Sequence, residues 1–515
     1  VVRETKLGKV RGNLVEALDT MVEEYKSIPF AEPPIGHLRF KEPVPKAPWR
    51  GTWNGTVRGS ICHQISHPGI LGSSERFTED CLHLNIWAPS KATKSPVFAW
   101  IHGGGFAFGS ASARDNDARM LAAMTGFVVV SINYRLGMLG FLNANSPDAP
   151  GNQGLLDQHL ALKWVQDNID VFGGDPGKVT LMGQSAGSMS AHAHLLSPMS
   201  RGLFRRAIML SGSATSVDFL DTVHESVIKG NGVATLLGCS RKNRDLVSYP
   251  EEVLECLRSK TAEELALATS EVVAPKEFTF FPTFHDQFLP KAPTVAMNHG
   301  FFQNVDVLVG LTSDECASML LIPPKFRVLG ASVRHIDFEA LEMKLRDVIA
   351  SWEKSDVPHT LHEYLVNVPD GDKEELRRAY IDYMSDRVFN CPVQLFAEKY
   401  AAKGNAVYSF VFTHRSERDG FPAWMGAPHH SIGRYIFARP FRDTEDFTDE
   451  DRIVSENVIK MLASFARDGT PLLPSGAIWQ KFSKETPTSV IVGSNYFTLV
   501  RDYRAKECAR WRNVL

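Results

Sequence analysis

At 515 residues, with 43% hydrophobic and 22% charged side chains, the chain has globular composition and ample material for a large core. Its net charge of -3 points to neither nucleic acid nor an anionic membrane surface as a partner. No apolar run approaches the roughly 18 residues that a membrane-spanning helix needs, and no basic-plus-apolar leader opens the chain at Val1, the start expected of a trimmed mature protein.

Residues 1–60 read as strand-like fragments broken by proline-rich turns such as Phe30-Ala31-Glu32-Pro33-Pro34. They include the sequon Asn54-Gly55-Thr56, which makes Asn54 a glycosylation acceptor on a secretory route. Residues 84–87 and 97–101 read as strands, and the second runs directly into His102-Gly103-Gly104-Gly105-Phe106. Residues 127–133 form another β-branched run, and residues 155–169 have helical periodicity. The short apolar strand at 179–182 delivers Gly183-Gln184-Ser185-Ala186-Gly187, after which small and apolar residues 188–196 start a helix. Further strands are expected at 207–210, 305–309 and 407–412, and helices at 338–352, 373–386 and 450–468. Alternating buried strands and helices imply an α/β fold with a large, mostly parallel central sheet flanked by helices. No repeat, low-complexity tract or long linker divides the chain, so residues 1–515 are expected to form one domain with helical insertions.

The pattern around Ser185 is G-x-S-x-G, the nucleophile elbow, in which a strand turns sharply into a helix and pushes the hydroxyl into a cleft. A serine hydroxyl is a poor nucleophile unless a base takes its proton, and a carboxylate improves the base by orienting it. In such folds the partners follow in the order serine, acid, histidine. Glu315 stands just past the strand at 305–309 and is placed for the acid, with its neighbour Asp314 as rival. The loop Gly426-Ala427-Pro428-His429-His430 follows the strand at 407–412 and offers the base; its tight Gly-Ala-Pro lead favours His429, with His430 second. An oxyanion needs donors already in place. The N–H groups of Gly104 and Gly105 in the glycine turn, and of Ala186 after the serine, supply them. No lysine follows the glycine run, so it is not a phosphate loop.

The seven cysteines bear on the compartment. Cys62 with Cys81, and Cys239 with Cys256, are spaced for local disulfide loops. Cys391 and Cys508 would close a long loop and leave Cys316 unpaired, although spacing alone does not fix the pairing.

These features together resemble the type-B carboxylesterase/cholinesterase family of α/β-hydrolases across nearly the whole chain. The segment from Phe172-Gly173-Gly174-Asp175-Pro176 through Gly183-Gln184-Ser185-Ala186-Gly187 is similar to the family's serine signature. Glu79-Asp80-Cys81-Leu82 through Asn85-Ile86-Trp87 is similar to its second signature, and Asn152 to Gln158 adds to the likeness. The resemblance implies an α/β-hydrolase fold with Ser185 as nucleophile, Glu315 as acid and His429 as base. It places the oxyanion donors at Gly104, Gly105 and Ala186. It also implies the disulfides Cys62–Cys81, Cys239–Cys256 and Cys391–Cys508, the last from a cholinesterase-like ending Cys508-Ala509-Arg510-Trp511. Phe106, Phe278 and Phe280 resemble an aromatic acyl pocket. The expectation is a secreted or ER-lumenal serine esterase acting on small-molecule carboxylic esters through an acyl-enzyme, needing no metal or organic cofactor.

Departures from the family pattern refine this. Cys316 and His430 stand where the family usually has glycine, and Gln184 where cholinesterases have glutamate. The loop between Cys62 and Cys81 contains no tryptophan, and Ser318 and Met319 replace aromatics. A quaternary ammonium is held by aromatic faces and nearby negative charge, so a carboxylesterase is expected rather than a true cholinesterase. Gln184, Asp157-Gln158 and Arg39-Phe40 are similar to juvenile hormone esterases, although Ile432 replaces their acidic residue after the histidine. A non-catalytic, neuroligin-like adhesion protein is the alternative of another class; members of that branch typically lose a triad residue, and all three positions are filled here.

Overall fold

The computed structural model describes residues 1–64, 76–272, 280–321, 338–352, 357–476, 479–494 and 496–513. Its centre is an 11-stranded sheet. In chain order the strands are β1 (Asn13–Ala17), β2 (Thr20–Pro29), β3 (His83–Pro89), β4 (Ser95–Ile101), β5 (Val128–Ile132) and β6 (Gly174–Gln184). Then come β7 (Arg206–Leu210), β8 (Asp306–Thr312), β9 (Val407–Phe412), β10 (Thr488–Val492) and β11 (Phe497–Arg501). Across the sheet the order is β11-β10-β9-β8-β7-β6-β4-β5-β3-β2-β1. The strands from β5 through β10 run parallel to their neighbours, and the two flanks, β3-β2-β1 and β11, are antiparallel. This is an α/β-hydrolase fold on a mixed sheet with a parallel centre.

The central strands are apolar on both faces because helices cover both. Along β4, Val97, Ala99 and Ile101 enter one core while Phe98 and Trp100 enter the other, the two-residue alternation of a strand. The first core packs helices α1 (Gln153–Asn168), α2 (Ala186–Leu196), α3 (Lys373–Ser385) and α4 (Cys391–Ala401). The second packs α5 (Asp449–Asp468), whose start Thr448 and Asp451 form a capping box. All eleven residues of α2 are buried, which its small and apolar composition allows. Its two histidines must then find partners inside. The Ala214 N–H donates to His192 Nδ1 at 3.1 Å, and His194 contacts Ser200 Oγ at 2.7 Å and Gln158 Oε1 at 3.2 Å. Burial pushes the pKa of each down to about 3.

One buried ion pair ties α1 to the segment that follows β5. Arg135 donates from its backbone N–H, Nε and Nη2 to Asp157 at 3.0, 2.8 and 2.7 Å, and Nη1 donates to Lys41 O at 2.7 Å. The Asp157 side chain is 0% exposed. Removing the arginine would strand that carboxylate without its counter-charge. Arg135→Ala is expected to cost about 3–5 kcal/mol in urea unfolding; a loss below about 1 kcal/mol would give the pair no more weight than an exposed one.

Disulfides join Cys62 to Cys81, Cys239 to Cys256 and Cys391 to Cys508, and Cys316 is free and buried. Burial first, and the neighbouring Glu315 charge second, push the Cys316 thiol well above its ordinary range. It is therefore a packed thiol at neutral pH rather than a thiolate.

Candidate active site

β6 ends at Gln184 and α2 begins at Ala186, so Ser185 is the whole of the connection. Its backbone sits at φ 57°, ψ -125°, a conformation that L side chains rarely adopt. Two hydrogen bonds hold it there: Ser185 N–H donates to Leu210 O at 2.8 Å, and Met189 N–H donates to Ser185 O at 2.9 Å. The flanking glycines are required by contact. A Cβ on Gly183 would lie 2.1 Å from Gly187 O, and one on Gly187 would lie 2.1 Å from Ile101 O.

The glycine turn follows β4, which is hydrogen-bonded beside β6, so it comes up next to the elbow. A Cβ on Gly103 would lie 3.0 Å from Ser185 Cβ. Gly104 and Gly105 take positive φ of 118° and 58°, and a Cβ on Gly104 would run into Phe108 O at 1.9 Å. Among the described residues no acceptor takes the N–H of Gly104, Gly105 or Ala186, so all three remain available to an oxygen placed over Ser185. His102 stacks on Tyr134 with centroids 4.4 Å apart, and Tyr134 donates to His102 O at 2.9 Å, which anchors the turn from below.

β8 and β9 are parallel neighbours, and each ends in one of the remaining loops. Glu315 is 0% exposed. Its Oε1 accepts the Thr312 N–H at 2.8 Å, and its Oε2 lies 2.5 Å from His429 Nδ1. The His429 backbone N–H donates to Glu315 O at 3.1 Å, so the two loops are also pinned by main chain. Asp314 turns the other way. It accepts the Ala427 N–H at 2.9 Å and pairs with Arg378 of α3. Of the two neighbouring carboxylates, Glu315 is the one brought to the imidazole, while Asp314 ties the acid loop to the histidine loop and to α3.

Phe389 stacks on His429, with centroids 4.3 Å apart and planes 25° from parallel. It lies in the π-helical turn Asp386–Asn390 that joins α3 to α4. The other nitrogen of the imidazole is Nε2. Among the described residues no hydrogen bond joins it to Ser185 Oγ; instead the Gln184 carboxamide nitrogen lies 3.2 Å away. Gln184 Oε1 in turn lies 2.9 Å from His430 Nδ1. The sequence singled out His430 as the second candidate for the base and as a departure, and Gln184 as a departure from cholinesterases, whereas neither Phe389 nor Arg378 carried a signal.

The aromatic trio is placed less closely. Phe106 is buried, at φ 61°, edge-on to Phe141 with centroids 5.1 Å apart. Phe280 is buried with the Lys229 ammonium 6.0 Å from its centroid. Phe278 lies outside the described residues. Asn54 is exposed in the strand Thr52–Asn54, and the Thr56 hydroxyl donates to its Oδ1 at 2.7 Å. Among the described residues no group of histidine, cysteine and carboxylate side chains is arranged to hold a metal ion, and no helix is long and apolar enough to cross a membrane.

Residues 1–511 match the family model described as the carboxylesterase family. The acetylcholinesterase of Bungarus fasciatus is 36% identical over 538 aligned positions, which cover 99% of this chain and 86% of that protein. Likeness of this extent leaves no segment of the fold unaccounted for: the chain belongs to the carboxylesterase family of α/β-hydrolases, the type-B group that includes the cholinesterases, and its chemistry is the hydrolysis of carboxylic esters.

Proposed function

We propose that the protein is a serine carboxylesterase working through an acyl-enzyme, with Ser185, Glu315 and His429 as its triad. The observation that carries this is the 2.5 Å contact of Glu315 Oε2 with His429 Nδ1 at the mouth of the strained Ser185 elbow. Glu315 stays ionised and fixes the imidazole with its proton on Nδ1. His429 Nε2 then takes the Ser185 proton as the hydroxyl attacks the ester carbonyl. The N–H groups of Gly104, Gly105 and Ala186 receive the developing oxyanion. His429 returns the proton to the leaving alcohol, and water repeats both steps on the acyl-enzyme.

Choline esters are not its main substrates on this reading. Gln184 puts a neutral amide where a cholinesterase has a carboxylate, and the sequence between Cys62 and Cys81 offers no tryptophan face to a quaternary ammonium. Three closed disulfides favour an oxidising compartment, and exposed Asn54 favours a glycosylated protein on the secretory route.

Two measurements test this together. Incubation with an organophosphate followed by peptide mass spectrometry is expected to find the adduct on Ser185. A panel of aryl, alkyl and choline esters is expected to rank the choline esters low in kcat/KM. An unlabelled Ser185 with no turnover would favour the adhesion-protein alternative, and a preference for choline esters would make the protein a cholinesterase.

A further inference from the structure

Gln184 and His430, two residues in which the sequence departs from cholinesterase or family pattern, meet at one contact. Gln184 is the last residue of β6, and its carboxamide spans the gap between His429 and His430. His430 is exposed; burial of part of its ring and then the neighbouring His429 lower its pKa, which favours the neutral ring at physiological pH. A neutral His430 that donates from Nδ1 to Gln184 Oε1 turns the amide nitrogen of Gln184 toward His429. That nitrogen can only donate. Its 3.2 Å contact with His429 Nε2 is therefore a bond only when Nε2 is bare. Bare Nε2, with the proton on Nδ1 facing Glu315, is the form a general base must have; it carries one lone pair, so the Gln184 N–H holds it in the resting site and yields it to the Ser185 hydroxyl when the ester is attacked.

We propose that Gln184 and His430 are positioning residues for His429, acting as one unit: His430 orients the Gln184 carboxamide, and the carboxamide selects the base-competent tautomer. This rests on reading His429 as the base. When His429 takes a proton at Nε2, that N–H faces the N–H of Gln184, two donors with no acceptor between them. A half-turn of the carboxamide relieves the conflict by presenting Oε1 to His429. The amide nitrogen then faces His430 Nδ1, which must give its proton to solvent while Nε2 takes one up, so the proton count of that ring is unchanged. The site has room for the side chain because residue 103 is glycine; a Cβ there would lie 2.8 Å from Gln184 Oε1.

Among the described residues, these charged groups face the pair. His429 faces Glu315 at Nδ1 and the apolar ring of Phe389, and the nearby Asp314 is matched by Arg378. Asp115, Arg434 and Arg439 surround His430. With His430 removed, Gln184 can turn Oε1 toward His429 at no cost and so stabilise the protonated base, which sets the direction of the expected shift.

His430 has φ 72°, so glycine fits its backbone and His430→Gly tests the side chain alone. The variant is expected to keep the wild-type unfolding temperature, to lose roughly tenfold in kcat/KM at neutral pH, the value of about one hydrogen bond, and to move the acid limb of the kcat/KM–pH profile up by about half to one unit. Gln184→Glu, isosteric but unable to donate, is expected to move that limb further up. The double variant is expected to match Gln184→Glu alone, and His430→Asn, which keeps a side-chain donor, to restore much of the wild-type profile. An unmoved acid limb in both single variants, or losses that simply multiply in the double variant, would overturn the proposal. Organophosphate labelling of wild-type Ser185 separates this from the triad reading: labelled Ser185 with unmoved limbs removes only the positioning pair, whereas unlabelled Ser185 removes the triad itself.

Discussion

Ser185→Ala is expected to lose roughly 10⁵–10⁶-fold in turnover, the range seen when a triad nucleophile is removed, while unfolding at the wild-type temperature. The hydroxyl has no hydrogen-bond partner among the described residues, so its removal breaks no hydrogen bond of the fold. Alanine must still adopt φ 57°, as serine does, so the strain at the elbow is the same before and after. His429→Ala is expected to be nearly as damaging, because a triad acts as a unit. Glu315→Gln should fall about 10⁴-fold by stabilising the wrong tautomer. Steady-state kinetics on a small aryl ester, with active-site titration to exclude wild-type contamination, is the measurement. Hydrolysis that survives in Ser185→Ala would mean a different nucleophile.

The second large effect is on stability and pH. His102, His192 and His194 are buried, and burial holds their folded pKa values at about 4, 3 and 3. In the unfolded chain each returns to the ordinary histidine value of about 6.5. Below that pH the unfolded state binds more protons than the folded one, so stability falls as the pH drops. The stabilising contribution is fully present above pH 6.5 and erodes down to the folded values. Each histidine removes about 1.4 kcal/mol per pH unit, and the three together roughly 4 kcal/mol per unit between pH 6 and pH 4. The roughly 8 kcal/mol lost between pH 6 and pH 4 is a large share of a total stability of about 5–15 kcal/mol. Urea titrations at pH 7, 6 and 5 give the slope. His192→Asn, which keeps a polar group toward Ser213 Oγ, 3.0 Å from His192 Nδ1, should flatten it by one histidine's share. A stability that is flat from pH 7 to pH 5 would show that these rings are not held neutral by folding.

The central strands and their crossover helices were legible because each is a compact apolar run between turn residues, and β9 matches its expected span at both ends. The antiparallel flanks were not, since alternation of strands and helices carries no information about strand direction near the ends of the sheet. The elbow and the glycine turn announce themselves through glycines whose missing side chains prove to be filled by backbone atoms. The choice between Asp314 and Glu315 was not decidable from spacing, because adjacent residues differ only in the way they face. That direction is set by Arg378, supplied from a helix far along the chain. The same holds for His429 and His430, and for Phe389, an ordinary apolar residue until the turn after α3 lays its ring on the imidazole.

The covalent tie between Cys391 and Cys508 has a consequence for biosynthesis. Its two halves are separated by 117 positions that include β9, β10 and β11. The first two loops can be oxidised while synthesis is under way, but this one waits until the far edge of the sheet has been made. The turn carrying Phe389 directly precedes Cys391. The support beneath His429 is thus secured late in maturation, after the elbow that it serves has already emerged.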